Sequence, residues 1–402
     1  MSGEARATEP GEPGERMPRA DVVALTRRLT AIDVTNPSLV PGGAGERELA
    51  GVIAEWLAGR GFEVRLVGAD PARPSVLARR RGSRAGRTLL LAGHLDTVGG
   101  SGVGDGMSGP DPDRVVGRGA YDMAGGLAAA MTAAAAASDP AGDVVLAFAA
   151  DEEFGSVGME ELLAAIDADA AASANPFPRP RPDAAVVLEP TDLEVTLAHR
   201  GFAWYRVEYE GLAAHGSQPE LGVDAIDRAL DGLVALRAFG AELAARPRHP
   251  LLGAGSVRVA TIEAGTDAAT VADRCVIVVE RRTLPGDADP GPELERVLVP
   301  SRPARIVPLV ARPAMEADAD SPIARIVLEQ VRRVTGAPAA RRGDPWWTDA
   351  GLIAEAGIPV VLVGPVGGGA HADLEWVSTD SLESLVDVLE GTIRAFCDEN
   401  GR

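Results

Sequence analysis

The chain has almost no cysteine. Cys275 and Cys397 are the only two among 402 residues, and neither has a second thiol at ligand spacing. That argues against a disulfide framework or a zinc–thiolate site, so any metal must be held by His and carboxylates. Net positive charge is lacking too: 59 acidic residues face 39 basic ones, for a formal charge of −20. Such a surface keeps a protein soluble and argues against nucleic acid or an anionic membrane as partner. Long apolar runs are missing as well. The most apolar stretch, Gly125–Ala137, is mostly Ala and too short to span a bilayer. Residues 1–17 are polar, rich in Gly, Pro and Glu, and lack the apolar centre of a secretory signal. They read as a disordered tail, with Met17 as an alternative start, and the expected compartment is the cytoplasm.

What is present is a chain that is 46% hydrophobic, enough for a large core and long enough for two domains. Apolar spacing predicts a helix from Asp21 through Val22, Val23, Leu25, Leu29 and Ile32, and another from Glu46 to Arg60, stopped by Gly61. A strand is expected at Phe62–Val67. Thr88–Ala92, Asp143–Ala150 and Ala184–Leu188 are short continuous apolar runs, as in strands buried on both faces. Helices at Met123–Ala137 and Met159–Ile166 separate them. This alternation implies an α/β fold with a mostly parallel sheet.

From Gly201 the rhythm changes. Strand Ala203–Glu210, helix Val223–Ala245, strands Ser256–Glu263 and Arg274–Thr283, a short helix near Pro292–Leu298 and strand Ala304–Ala311 follow. That is the β-α-β-β-α-β order of a ferredoxin-like domain, inserted into the first. Helices Pro322–Val334 and Thr348–Ala356, strand Val360–Val363, a glycine loop Gly364–Gly369 and helix Ser381–Phe396 resume the α/β pattern. The expected domains are 18–200 with 316–402, and 201–315. Arg79–Arg87 reads as a solvated basic turn, and Trp346-Trp347-Thr348-Asp349 as packing.

The polar residues fall where the strands end. Gly93-His94-Leu95-Asp96 follows Leu91, Asp151-Glu152-Glu153 follows Ala150, Glu189 follows Leu188, and the glycine loop after Val363 reaches His371. In open α/β sheets ligands bind beyond the carboxyl ends of the strands, so these groups converge on one rim; Asp122, before the helix at Met123, joins them. His94, Asp122, Glu153, Glu189 and His371 suit two adjacent divalent cations, zinc first, cobalt or manganese as alternatives. Asp122 would bridge, with His94 and Glu189 on one ion and Glu153 and His371 on the other. Glu152 can serve as general base toward a metal-activated water. Asp96 can accept the other ring N–H of His94 and fix its tautomer.

At these residues the sequence resembles the metallopeptidase family of acetylornithine deacetylase, succinyl-diaminopimelate desuccinylase, aminoacylase and carboxypeptidase G. The matching segments are Gly93-His94-Leu95-Asp96-Thr97-Val98, Gly117–Met123, Asp151-Glu152-Glu153-Phe154-Gly155, Glu189-Pro190-Thr191 and His371–Val377. The resemblance implies the same ligand, base and bridge roles, and an inserted lid through which the chain forms a homodimer. Gly211–Pro219 resembles the lid segment whose histidine, here His215, reaches the partner's site and steadies an oxyanion. Glu280–Gly286 resembles the strand whose arginine, here Arg282 beside Arg281, grips the substrate carboxylate. The pattern departs at Ala269, where an Asn is usual, at Ala124, where Lys is usual, and in a second lid helix shortened around Pro292–Val299. The function implied is hydrolysis of the amide of small N-acyl amino acids, to which Glu rather than Asp at 189 leans. A dipeptidase or carboxypeptidase with the same centre, and a catalytically silent binding protein, stay open as alternatives.

Overall fold

The computed structural model describes residues 21–100, 112–137, 139–171 and 180–398; the tail expected at 1–17 lies outside them. Nine of the described strands form one sheet. Across it run Glu63–Val67, Ser75–Arg80, Val144–Ala149, Leu89–His94, Ala184–Val187, Val360–Leu362, Val195–His199 and Met315–Glu316, with Arg341–Asp344 also paired to Val195–His199. The strands from Val144–Ala149 to Val360–Leu362 are mutually parallel, and antiparallel strands flank them on both sides.

The continuous apolar runs explain this centre. Side chains alternate across a strand, so a run apolar at every position must be covered twice. Leu89, Leu91, Val144, Leu146, Phe148, Ala184 and Val186 enter one core. Their neighbours Leu90, Ala92, Val145, Ala147, Ala149, Ala185 and Val187 enter the other. Helices Val22–Thr30, Arg47–Ala58, Gly125–Ala136, Pro322–Thr335 and Thr379–Cys397 cover the first core; Val157–Ala171 and Ala350–Glu355 cover the second. Each fully buried Leu, Val or Phe contributes about 1.5–3 kcal/mol. Gly61 ends the second helix at φ 81°, and the Phe62 N–H returns to the Leu57 carbonyl at 3.2 Å.

A second sheet runs in the order Arg305–Arg312, Gly201–Glu210, Arg274–Thr283, Ser256–Ala264, antiparallel throughout. Helices Ala225–Ala245 and Pro290–Leu298 pack on one face around Tyr205, Val207, Phe239 and Ile277. This is the ferredoxin-like arrangement. The chain leaves the large sheet at strand Val195–His199 and returns at Met315–Glu316, which pairs with it. Because exit and return are neighbours, the insertion interrupts no ladder.

Two expectations need correction. Arg79–Arg87 is not a solvated turn from its start. Arg79 and Arg80 belong to strand Ser75–Arg80, where Arg79 pairs with Asp143 at 2.8 Å. Arg80 donates to the carbonyls of Ala134 and Ala135 at 3.0 and 2.9 Å, satisfying the end of helix Gly125–Ala136. The basic residues masked a strand whose polar ends are paired within the fold. The helix expected from Met123 starts at Gly125, after a π-turn over Ala120–Ala124. No described helix is long and apolar enough to cross a membrane.

Helix Gly125–Ala136 lies close against the sheet because its small residues permit it. A Cβ at Gly126 would press into the carbonyl oxygen of Leu188, the residue before Glu189. We expect Gly126→Ala to cost about 1–3 kcal/mol through overpacking. The check is the urea midpoint, which should fall at constant m; an unchanged midpoint would show that the close approach is not required.

Candidate metal centre

The parallel centre of the sheet turns scattered acids and histidines into a cluster. His94 is the last residue of its strand, Glu152 and Glu153 sit in the turn after Ala149, and Glu189 follows Ala184–Val187 by two positions. The strand Val360–Leu362 is parallel to these, so the loop to His371 leaves from the same edge. A small sheet of Gly367–Gly368, Trp376–Ser378 and Arg114–Val116 draws the His371 loop beside the turn carrying Asp122.

His94 Nε2 lies 3.0 Å from Asp122 Oδ1 and 3.9 Å from Glu189 Oε1. His371 Nε2 lies 3.1 Å from Glu153 and 3.4 Å from the second Asp122 oxygen. Asp122 therefore stands between two imidazoles with one oxygen toward each. Ligand atoms of His94, Asp122 and Glu153 fall within 4.8 Å of one another. His371 has φ 62°, a conformation that costs a non-glycine residue about 1–3 kcal/mol and clusters at functional sites.

The electrostatics test whether cations fit here. Burial pushes the carboxyls of Glu152 and Glu189 well above their ordinary range, and neighbouring acids add to the effect. Burial acts on Asp122 in the same sense, but His371 and His94 overcome it and hold that carboxyl well below the ordinary range. The His371 ring is pushed up to about 10 by Asp122 and Glu153. Burial opposes the charge on His94, yet Asp122 and Glu189 raise its pKa well above the ordinary value. A set of carboxylates that draws protons onto both imidazoles is short of positive charge. Divalent cations supply that charge, and the imidazole–carboxylate donor set fits them.

Asp96 corrects an expectation. Its carboxylate is 3.7 Å from His94 Nδ1, too far for a hydrogen bond, whereas its backbone carbonyl is 2.9 Å away. An Nδ1–H donated to that carbonyl leaves the Nε2 lone pair facing Asp122 and Glu189. The fully buried carboxylate instead accepts the backbone N–H groups of Glu152 and Glu153 at 3.0 and 3.2 Å.

Other predicted residues lie apart from this cluster. His215 bonds through Nδ1 to the Ser217 hydroxyl at 2.8 Å and bridges to Thr270, so its segment runs beside the loop that carries Ala269. Arg281 and Arg282 are told apart. Arg281 is 2% exposed and turns inward to Asp287 and Glu293. Arg282 points to the opposite face of the sheet, pairs with Glu280 at 3.0 Å and lies over the Phe202 ring. The short helix Pro290–Leu298 ends in a 3-10 turn over Val299–Ser301. Trp347 packs, as expected, donating to the Pro313 carbonyl at 2.8 Å.

Two acids were missed. Glu375 is buried and accepts the N–H groups of Gly119, Tyr121 and Asp122 at 3.0, 3.0 and 2.9 Å, while pairing with Arg118 at 2.8 Å. It moulds the turn that presents Asp122. Asp349, taken as packing, bonds to the Ser156 hydroxyl and lies near enough to raise the proton affinity of Glu152 and Glu189. Neither follows a strand end in sequence, so neither carried the signal that exposed the others.

The sequence profile described as Peptidase family M20/M25/M40 matches residues 90–395. The chain belongs to this family. Among curated relatives it is 27% identical to an acetylornithine deacetylase of Vibrio atlanticus (strain LGP32), over 91% of this chain and 95% of that one. It is 27% identical to a succinyl-diaminopimelate desuccinylase of Rhizorhabdus wittichii, over 93% and 97%. A solved M20 metallo-carboxypeptidase from Sulfolobus solfataricus superposes with a TM-score of 0.75 at 17% identity, covering 94% of this chain and 99% of that one. This M20 chain is thus a hydrolase acting on amides or peptides, with an inserted domain in an α/β fold.

The Glu375 cradle is open to test. We expect Glu375→Gln to weaken zinc binding by about 10–100-fold, as for other residues that orient metal ligands. Competition with a zinc chelator measures it, and wild-type affinity would remove Glu375 from this role.

Proposed function

We propose that the protein is a two-cation amidohydrolase that deacylates small N-acyl amino acids. The observation that carries the reading is Asp122, flanked on each side by an imidazole and a further carboxylate, with Glu152 beside them. Support for the substrate class comes from the deacetylase and desuccinylase names of relatives matched over nearly the whole chain. His94, Asp122 and Glu189 would hold one cation, and Asp122, Glu153 and His371 the other, zinc first, with cobalt or manganese as alternatives. Bound there, such ions polarise an amide carbonyl and bring the pKa of water toward roughly 7. Glu152 takes a proton from the attacking water and gives one to the departing nitrogen as the C–N bond breaks, leaving a carboxylate and an amine. Asp96 holds the turn bearing Glu152, and Arg282 receives the substrate carboxylate. The two unpaired, buried cysteines accord with a reducing cytoplasm.

Glu152→Gln should retain the metal and lower turnover by about 10²–10⁴-fold. A chelator should abolish activity, and zinc or cobalt should restore it. A panel of N-acetyl amino acids, N-succinyl amino acids and dipeptides decides the substrate class. Dipeptide cleavage without deacylation would replace this reading with a peptidase, and wild-type turnover in Glu152→Gln would remove the base.

We further propose a homodimer formed through the inserted domain, with His215 of the partner subunit completing the site. Ile226, Leu230 and Val234 repeat every four residues along helix Ala225–Ala245 and are exposed, Leu230 by 55%. They lie beside the edge strand Ser256–Ala264, whose outer side has no partner strand in the described sheet. An apolar stripe with an open strand edge suits pairing with a second copy. Leu230→Glu should yield monomers by light scattering and lose turnover while keeping bound metal. Monomers with full turnover would show that His215 acts in no partner.

A further inference from the structure

Behind the cluster lies a second polar assembly, of which the mechanism above uses only Asp96. The backbone N–H groups of three successive residues, Asp151, Glu152 and Glu153, are all taken by buried carboxylates. Asp151 donates to Glu46 Oε1 at 3.2 Å, and Glu152 and Glu153 donate to the two oxygens of Asp96. Glu46 and Asp96 are both fully buried, and both are themselves held. Arg73 forks onto Glu46, Nε at 3.0 Å from Oε2 and Nη2 at 2.6 Å from Oε1. Its Nη1 reaches the Asp151 carboxylate at 2.9 Å and the Ser38 hydroxyl at 2.9 Å. Asn36 Nδ2 spans Asp96 Oδ2 at 2.8 Å and Asp151 Oδ1 at 3.2 Å.

The groups come from three separate places. Asn36 is tied by its N–H to the Thr97 carbonyl at 2.9 Å, next to Asp96. Glu46 precedes helix Arg47–Ala58 and makes no side-chain cap to it, and Arg73 leads into strand Ser75–Arg80, the neighbour of Val144–Ala149. They meet on Asp151, whose φ of 67° is one that a non-glycine residue keeps only where its surroundings over-determine it. The turn cannot rotate without breaking several charge-assisted bonds.

We propose that Arg73, with Glu46 and Asn36, is a positioning clasp that fixes the aim of Glu152 and Glu153. The clasp rests on the roles given to those two glutamates above. The hydrogen bonds and ion pairs of Arg73 go to Glu46, Asp151 and Ser38 and not to His94, Asp122, Glu189 or His371, so it acts through the turn. Misplacement of a reacting group by about 1 Å can cost 10²-fold in rate, and residues that orient metal ligands are worth about 10–100-fold in affinity or activity.

The test uses the full chain loaded with zinc. Arg73→Lys keeps a cation and loses the fork. We expect kcat to fall about 10–100-fold and zinc affinity to weaken, with KM within about twofold and the thermal midpoint close to wild type. Arg73→Met should lose more of each. Arg79→Met is the control: it breaks the buried Arg79–Asp143 pair at the far end of the strand that Arg73 leads into, and should lower the midpoint without lowering kcat. Should Arg73→Met not fold, Arg73→Lys and Asp151→Asn decide alone. Wild-type kcat and zinc affinity in the folded Arg73 variants would overturn the clasp, as would an Arg79→Met that loses kcat equally. If the wild type cleaves nothing in the panel, the proposed deacylase reading fails, and unchanged zinc affinity in Arg73→Lys then overturns the clasp separately.

Discussion

Like charges gathered in a low-dielectric place repel, and each buried carboxylate without compensation costs several kcal/mol. Asp122, Glu152, Glu153 and Glu189 meet at one rim of the sheet, where, among the described residues, the imidazoles of His94 and His371 offset their charge. The fold accepts this arrangement only because other interactions hold it. Its answer is a division of labour. The acids at the rim keep their oxygens turned toward a shared space, while a second set of acids behind them is spent on the backbone.

That second set is where much of the organisation resides. Asp96 and Glu46 take the amides of residues 151–153, and Glu375 takes those of residues 119, 121 and 122. A carboxylate that accepts backbone N–H groups is stabilised by them, and in return it fixes φ and ψ of the segment it holds. The turns bearing Glu152, Glu153 and Asp122 are thus moulded by charge from behind. Arg73 and Arg118 in turn pair with two of these acids, Glu46 and Glu375. The apolar strands supply a rigid base, since a close-packed interior does not deform continuously.

The inserted domain is joined to the same machinery at its root. Arg312, the last residue of its strand Arg305–Arg312, donates through Nε to the Gly155 carbonyl at 2.9 Å, two residues beyond Glu153. Trp347, Phe202 and His199 pack edge to face at the junction. His215 and Arg282, by contrast, sit out on the domain and away from the cluster. Their use requires approach of another surface, whether a partner subunit, a substrate or the domain itself. A homodimer through the exposed stripe of helix Ala225–Ala245 is the arrangement proposed for His215.

The order of buried strands, the ferredoxin-like rhythm of the insertion and the five rim residues were legible in one dimension. Periodicity reports burial, and strand ends report the rim. Gly61 was legible for the same local reason. Strand Ser75–Arg80 was not, because Arg79 and Arg80 are polar in sequence and become satisfied only by Asp143 and two helix-end carbonyls distant in the chain. Nor were Glu375, Asp349, Arg73 or Glu46, whose partners lie far away in sequence; an acid is marked as a backbone clamp only by which amides it meets. The choice between Arg281 and Arg282, and the use of the Asp96 carbonyl rather than its carboxylate, were likewise decided by tertiary packing. Sequence by itself determined which acids and imidazoles the strands deliver to one rim; three-dimensional contacts alone decided which groups aim them, because aim is a property of long-range hydrogen bonds and not of local pattern.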